Sequence, residues 1–203
     1  MPVPALEFGL FIAYLVPGVI AFYGLSFVSP QLRNLWRPEG TVPSVGAAVL
    51  TALIALALGR IVSIGRAAIV DPTFQVPLPF LSCRDAPYRG AVKSAEPDYR
   101  QMIDSGHREA FMLAIANEQR PYQFGGNTAL AVLLATLCWV IGLKAGERAR
   151  LRVVMSIIGA MALAAILYGG ARVSHYRFVR AVVMLNGGEF QAFDENGKPC
   201  KQP

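Results

Sequence analysis

The chain has 203 residues, room for one compact domain, and is 54% hydrophobic but only 16% charged. Soluble globular chains carry about 25% charged residues, so a polar surface around a water-soluble core is excluded. Net charge is +6 with a pI near 9.5. The basic residues lie beside apolar stretches rather than on a separate basic domain, which suits a membrane surface and argues against nucleic acid as a partner.

Four stretches contain no charged residue: Phe8–Leu32, Thr41–Gly59, Pro121–Leu143 and Val153–Ala171, of 25, 19, 23 and 19 residues. A bilayer core about 30 Å thick needs roughly 20 apolar helical residues. In lipid each backbone N–H and C=O must be satisfied within the structure, so such stretches are helical. The expected fold is an all-α membrane protein with four transmembrane helices and one extramembrane segment of about 60 residues containing an amphipathic helix. The expected divisions are a first helical pair over 1–64, the extramembrane segment over 65–125, a second pair over 126–172, and an interfacial and polar tail over 173–203. No Lys or Arg precedes Arg33, so the first segment reads as a retained helix rather than a cleaved signal peptide.

The first helix is expected over about 8–28, with Pro17-Gly18 at its centre. Proline removes one helical hydrogen bond and kinks the helix. A neighbouring helix can satisfy the freed carbonyl. A hinge and a static kink are both open readings. Trp36 and Arg37 follow as interfacial anchors. The second helix is expected over about 44–64, started by Pro43 and capped by Ser44. Ala48, Ala52, Ala55 and Gly59 place small side chains on one face, and Arg60 near the end reads as a snorkelling anchor.

From Arg60 to Arg120 the connection holds eight basic and seven acidic residues. Pro72, Pro77, Pro79 and Pro87 make its first part irregular. Pro97 reads as the first residue of a helix to about Gln119, which Pro121 then ends. Within it Ala110–Ala116, AFMLAIA, is apolar all round and needs cover on several sides. Phe111 and Leu113 are therefore expected to be buried in a docking contact.

The third helix is expected over about 126–143, with Ala131, Ala135 and Gly142 in a small stripe beside Thr128 and Cys138. The fourth is expected over about 152–172, with Ser156, Ala160 and Ala164 four apart. Helices in lipid associate through close van der Waals packing, so these stripes predict tight contacts, within one chain or between chains. Beyond 172, arginines and His175 mix with aromatics in an interfacial segment. Val182–Phe193 reads either as a small hairpin about Asn-Gly-Gly or as a continued helix to Gly187.

Chemistry-bearing motifs are few. There is no phosphate loop, dinucleotide fingerprint, HExxH or GxSxG, and no cofactor is expected. Cys83, Cys138 and Cys200 form no CxxC pair, so no metal site is expected. Cys83 and Cys200 share a side of the membrane in a four-helix topology. Asp104, His107 and Glu109 lie close on the predicted connection helix, but at spacings that do not share one face. They read as a solvated turn, or as the acid–base groups of a lipid-acting enzyme. Tyr122, Gln123, Phe124 and Asn127 form the candidate polar site. Gln123 and Asn127 lie four apart and can hydrogen-bond across to another helix if Gly125-Gly126 stays helical.

ANEQRPYQFGGNT at this point resembles a group of uncharacterised bacterial four-helix membrane proteins, in which a tyrosine-rich run ending in Tyr-Gln-Phe, then an Asn, precedes the third helix. Here Arg120-Pro121 stands in place of an aromatic. The resemblance implies four membrane helices and a bacterial inner-membrane location, and no activity.

The connection KAGERARLR has four basic residues in nine, and Arg33 and Arg37 lie between the first two helices. The positive-inside rule puts both connections in the cytoplasm and both termini outside. The expected function is a non-enzymatic membrane interaction protein, homo-oligomeric, working as a sensor, scaffold or effector subunit. A small-solute channel or transporter and a lipid-acting enzyme are the alternatives. The expected partners are the bilayer and a second copy or another protein.

Overall fold

The computed structural model describes residues 3–36, 45–75, 108–143 and 151–185. All regular structure among the described residues is helical. The first helix, α1, spans Val3–Leu25 and a short α2 spans Pro30–Trp36. The long α3, Val45–Ile69, is followed by a 3₁₀ turn at Asp71–Gln75. Then come α4 at Arg108–Ala114, one π-helical turn at Ile115–Gln119, and α5 at Arg120–Gly142. The last helix, α6, spans Leu151–Leu185. Val45–Ile69, Glu109–Gly142 and Leu151–Val182 are long and apolar enough to cross a membrane, and Phe11–Leu25 is apolar but shorter.

Two expectations are corrected. Pro121 does not end the connection helix: α4, the π turn and α5 run on from Arg108 to Gly142. A proline clashes with the carbonyl four residues back and supplies no N–H. The π turn widens the ladder immediately before it, the Arg120 N–H donating to the Ile115 carbonyl five residues back, which leaves room for the ring. Secondly, the fourth long helix does not end near 172 but runs on to Leu185, and of the two readings open for residues 182–193 the continued helix holds over 182–185. Pro97, Asp104, His107, Cys83, Cys200 and residues 186–193 lie outside the described residues.

The chain divides into two compact units, one of Met1–Arg66 with Gln123–Gly169, the other of Ala67–Tyr122 with Gly170–Pro203. In the first unit α1 meets α3 and α5 at very short range. A methyl group added at Gly18 would overlap the Ala55 carbonyl, and one added at Gly59 would overlap the Tyr14 carbonyl. These pairs, 18 with 55 and 14 with 59, make α1 and α3 antiparallel, and only glycine admits such an approach. A methyl group at Gly24 would strike Ala135, and one at Gly142 would lie 2.9 Å from the Phe27 carbonyl, so α1 and α5 run parallel. Ala21, Val62 and Ala131 form the buried core between them, flanked by Ile20, Leu58 and Leu130. At the end of α1, Arg33 folds back, its Nε donating to the Ser26 carbonyl at 3.3 Å and its Nη2 to the Phe27 carbonyl at 3.2 Å. A cation on the last carbonyls also complements the helix dipole.

In the second unit Phe111 of α4 is buried with Val182 of α6, and Ile115, Phe178 and Leu185 pack on them.

Candidate functional site

Two polar arrangements stand out, one in each unit. The first follows from Pro17. In an α-helix the carbonyl of residue 13 accepts the N–H of residue 17, and Pro17 has none. The Ala13 carbonyl instead accepts the Asn127 side-chain amide of α5, Nδ2 to O at 3.1 Å. Asn127 and Pro17 are both wholly buried, and Ala13 nearly so. A carbonyl left bare here would carry its full desolvation cost. The Pro17 break in α1 and Asn127 on α5 are therefore one feature, a helix-breaking residue and the polar side chain that repairs the ladder from outside. The next residue, Thr128, is also buried.

The second arrangement is an aromatic and charged cluster. It joins the 3₁₀ turn after α3, the start of α5 and the distal part of α6. The Tyr122 hydroxyl donates to Asp71 Oδ2 at 2.7 Å. Two further rings pack beside the tyrosine. Phe74 lies edge-on to Tyr122 with centroids 5.9 Å apart, and His175 lies 5.3 Å from Phe74 and 4.9 Å from Tyr122. Phe74 and Tyr122 are buried. One turn before His175, buried Arg172 donates from Nη1 to the Thr73 carbonyl over a long 3.4 Å. Thr73 closes its own turn, its hydroxyl donating to the Val70 carbonyl at 2.6 Å. Arg120 is buried as well. A carboxylate and a phenol are thus hydrogen-bonded next to an imidazole and a phenyl ring, which together form an aromatic wall.

The candidate residues are distributed as follows. Tyr122 joins the cluster and Asn127 repairs α1, while Gln123 and Phe124 are half-buried. Of the stripe on α3, Ala55 and Gly59 are buried against α1, whereas Ala48 and Ala52 are exposed. On α5, Ala131 is wholly buried, Ala135 meets Gly24, and Gly142 approaches Phe27. On α6 Ala164 is buried, Ala160 is half-buried and Ser156 is exposed, its hydroxyl turned back to the Arg152 carbonyl at 2.9 Å. Phe111 is buried, but Leu113 is 45% exposed, which corrects the expectation that both are covered. Residues two apart on a helix point about 200° away from each other, so one docking face cannot cover both. Glu109, of the acidic-histidine trio, is exposed. Sequence reading missed Asp71, Phe74, Arg172 and His175 as a group. The one available signal was a histidine three residues from an arginine beyond an apolar span. No group of three or more His, Cys, Asp or Glu suited to a metal occurs among the described residues.

Comparison with protein-family models, with curated proteins and with solved structures gives no match for this chain.

Proposed function

We propose that the chain is a four-span inner-membrane protein that works by interaction rather than catalysis, as a homo-oligomeric sensor, scaffold or effector subunit. The fourth span is α1. Its 23 residues reach about 34 Å at 1.5 Å per residue, enough for a bilayer core. Its pairing supports this, because the first and third spans of such a protein run the same way and the second runs opposite. That is the relation of α1 to α5 and α3. In this topology, with both termini outside, Asp71, Tyr122 and His175 all sit at helix ends on the non-cytoplasmic side. The resemblance to bacterial four-helix membrane proteins agrees with this count.

The observation that carries the interaction reading is the uneven use of the small-residue stripes. Ala55 and Gly59 serve α1 within the chain, while Ala48 and Ala52 on α3, and Ser156 and Gly159 on α6, remain open. Small open faces are what a second copy needs for close helix contact in lipid. A solute pathway is the weaker alternative. The groups most able to line one, the Pro17 break and Asn127, are engaged with each other. The native mass of the detergent-solubilised protein tests the proposal. A multiple of 21.9 kDa that Ala52→Leu or Gly159→Leu reduces supports it. A monomer that conducts ions or small solutes in proteoliposomes overturns it.

A further inference from the structure

In the first unit one charged side chain lies on a face that is otherwise apolar. Arg60 of α3 is exposed, as are Leu53, Ala57, Ile61 and Ile64 of the same helix and Phe11 of α1. Its guanidinium carbon lies 5.6 Å from the centre of the Tyr14 ring, and Nη1 donates to the Tyr14 hydroxyl at 3.3 Å. Cation–π contact and hydrogen bond together hold the guanidinium plane in place. They occupy one of its five N–H donors and bring no negative charge.

Depth makes this position informative, on the four-span reading above. The charge-free stretch of α5 centres on Val132. The contacts that pair 13 with 127 and 24 with 135 put that level near residues 18–21 of α1, and those that pair 14 with 59 and 18 with 55 put it opposite residues 52–55 of α3. Arg60 is then five to eight residues from the midplane, roughly 10 Å at 1.5 Å per residue, against a half-thickness of about 15 Å. It lies inside the hydrocarbon, within reach of the headgroups if its stem snorkels. Arg33 shows the other way to settle an arginine in this unit, by returning it to backbone carbonyls. Arg60 turns outward instead.

We propose that Arg60 and Tyr14 form a binding site for the phosphate of an anionic phospholipid. A guanidinium presents parallel N–H groups that match two phosphate oxygens, and fixing it on the Tyr14 ring prepares that fork before the lipid arrives. Flanking Leu53, Ile61, Ile64 and Phe11 offer apolar contact to acyl chains. A soluble anion has nothing to gain from those side chains and must cross hydrocarbon to reach the charge, whereas a phospholipid carries both parts. The lipid therefore belongs to the leaflet nearer the end of α3.

Native mass spectrometry of the full-length protein in detergent, titrated with phosphatidylglycerol and with phosphatidylcholine of the same acyl chains, tests the site. Both lipids offer phosphate oxygens, but the choline ammonium offsets the charge of the second, so wild type is expected to retain one phosphatidylglycerol with a preference of about tenfold or more. Arg60→Gln should bring the two lipids to near parity, and Arg60→Lys should keep part of the preference. Wild-type retention without preference, or an unchanged preference in Arg60→Gln, overturns the proposal. Displacement of the bound lipid by millimolar inorganic phosphate would assign the site to a soluble anion instead and overturn the lipid commitment. The wild-type ratio decides the matter even if Arg60→Gln does not fold. Oligomeric state is read in the same spectra. A monomer that keeps its phosphatidylglycerol overturns self-association and leaves the lipid site standing, and an oligomer without preference does the reverse.

Discussion

The pairing of Pro17 with Asn127 makes a quantitative prediction. Asn127→Leu keeps the number and branching of side-chain heavy atoms, so no cavity opens, but it removes the donor to the Ala13 carbonyl. A buried polar group left without its partner costs about 1–3 kcal/mol. Interhelical hydrogen bonds measured in membrane proteins average about 0.6 kcal/mol and reach about 1.7. Asn127 is wholly buried and Ala13 is 1% exposed, so no solvent replaces the lost bond. We expect a destabilisation of about 1–2 kcal/mol, at the upper end of the membrane range. The informative experiment is the double-mutant cycle with Pro17→Ala. Alanine at 17 restores the N–H that lies one helical turn from the Ala13 carbonyl, so the ladder closes within α1 and Asn127 is no longer needed there. In that background Asn127→Leu should cost less by at least about 0.6 kcal/mol. Folded fraction against SDS mole fraction, in mixed micelles, measures all four corners. Independent sites add within about 0.3–0.5 kcal/mol. Additivity to that level would refute the idea that Asn127 is present to satisfy the carbonyl that Pro17 exposes.

Other substitutions probe the rest of the architecture. Gly18→Ala should destabilise by about 3 kcal/mol or more, because its methyl group falls on the Ala55 backbone and overpacking against rigid atoms is costly. Gly169→Ala, with nothing near it in the chain, should leave the melting temperature within about a degree or two of wild type or raise it through helix propensity. Phe111→Ala should cost about 3 kcal/mol and Leu113→Ala well under 1 kcal/mol, since only Phe111 is buried; equal melting shifts would dissolve the docking contact. Cys83 and Cys200 should label with a membrane-impermeant thiol reagent in intact reduced cells, and Ala149→Cys only after lysis. The opposite pattern reverses the orientation.

The helices were legible because lipid imposes one rule, length without charge, and most of the described residues of Thr41–Gly59, Pro121–Leu143 and Val153–Ala171 lie in long apolar helices. Asn127 was legible for a related reason. A carboxamide in such a stretch needs a partner, and a second helix was the nearest source. Its specific acceptor was also implied, since Pro17 names the carbonyl it exposes, but only a structure sets residues 13 and 127 side by side. The Asp71–Tyr122–His175 cluster was not legible. Its members come from three elements separated by roughly fifty residues each, and no local periodicity links a 3₁₀ turn to a ring on α6. Stripes of small residues marked where close contact was possible without stating which half of each stripe this chain uses. That choice depends on where α1 lies, through Gly18 and Gly59.

Pro121 and the end of α6 show why local signals lost in two places. A proline stops a helix only if the preceding carbonyls hold their α-helical positions, and one π turn from Ile115 to Gln119 shifts them at the cost of a single widened turn. At the other end, Val182 and its neighbours favour strand by side-chain type. Extending an existing helix, however, costs far less than nucleating new structure, and α6 arrives at these residues already formed. Continuing the helix brings Phe178, Val182 and Leu185 onto Phe111 and Ile115. The apolar run of α4 and the apolar end of α6 thus cover each other. Read separately, one asked for an unknown partner and the other left hairpin and continued helix both open. Read together, each supplies the surface the other lacks.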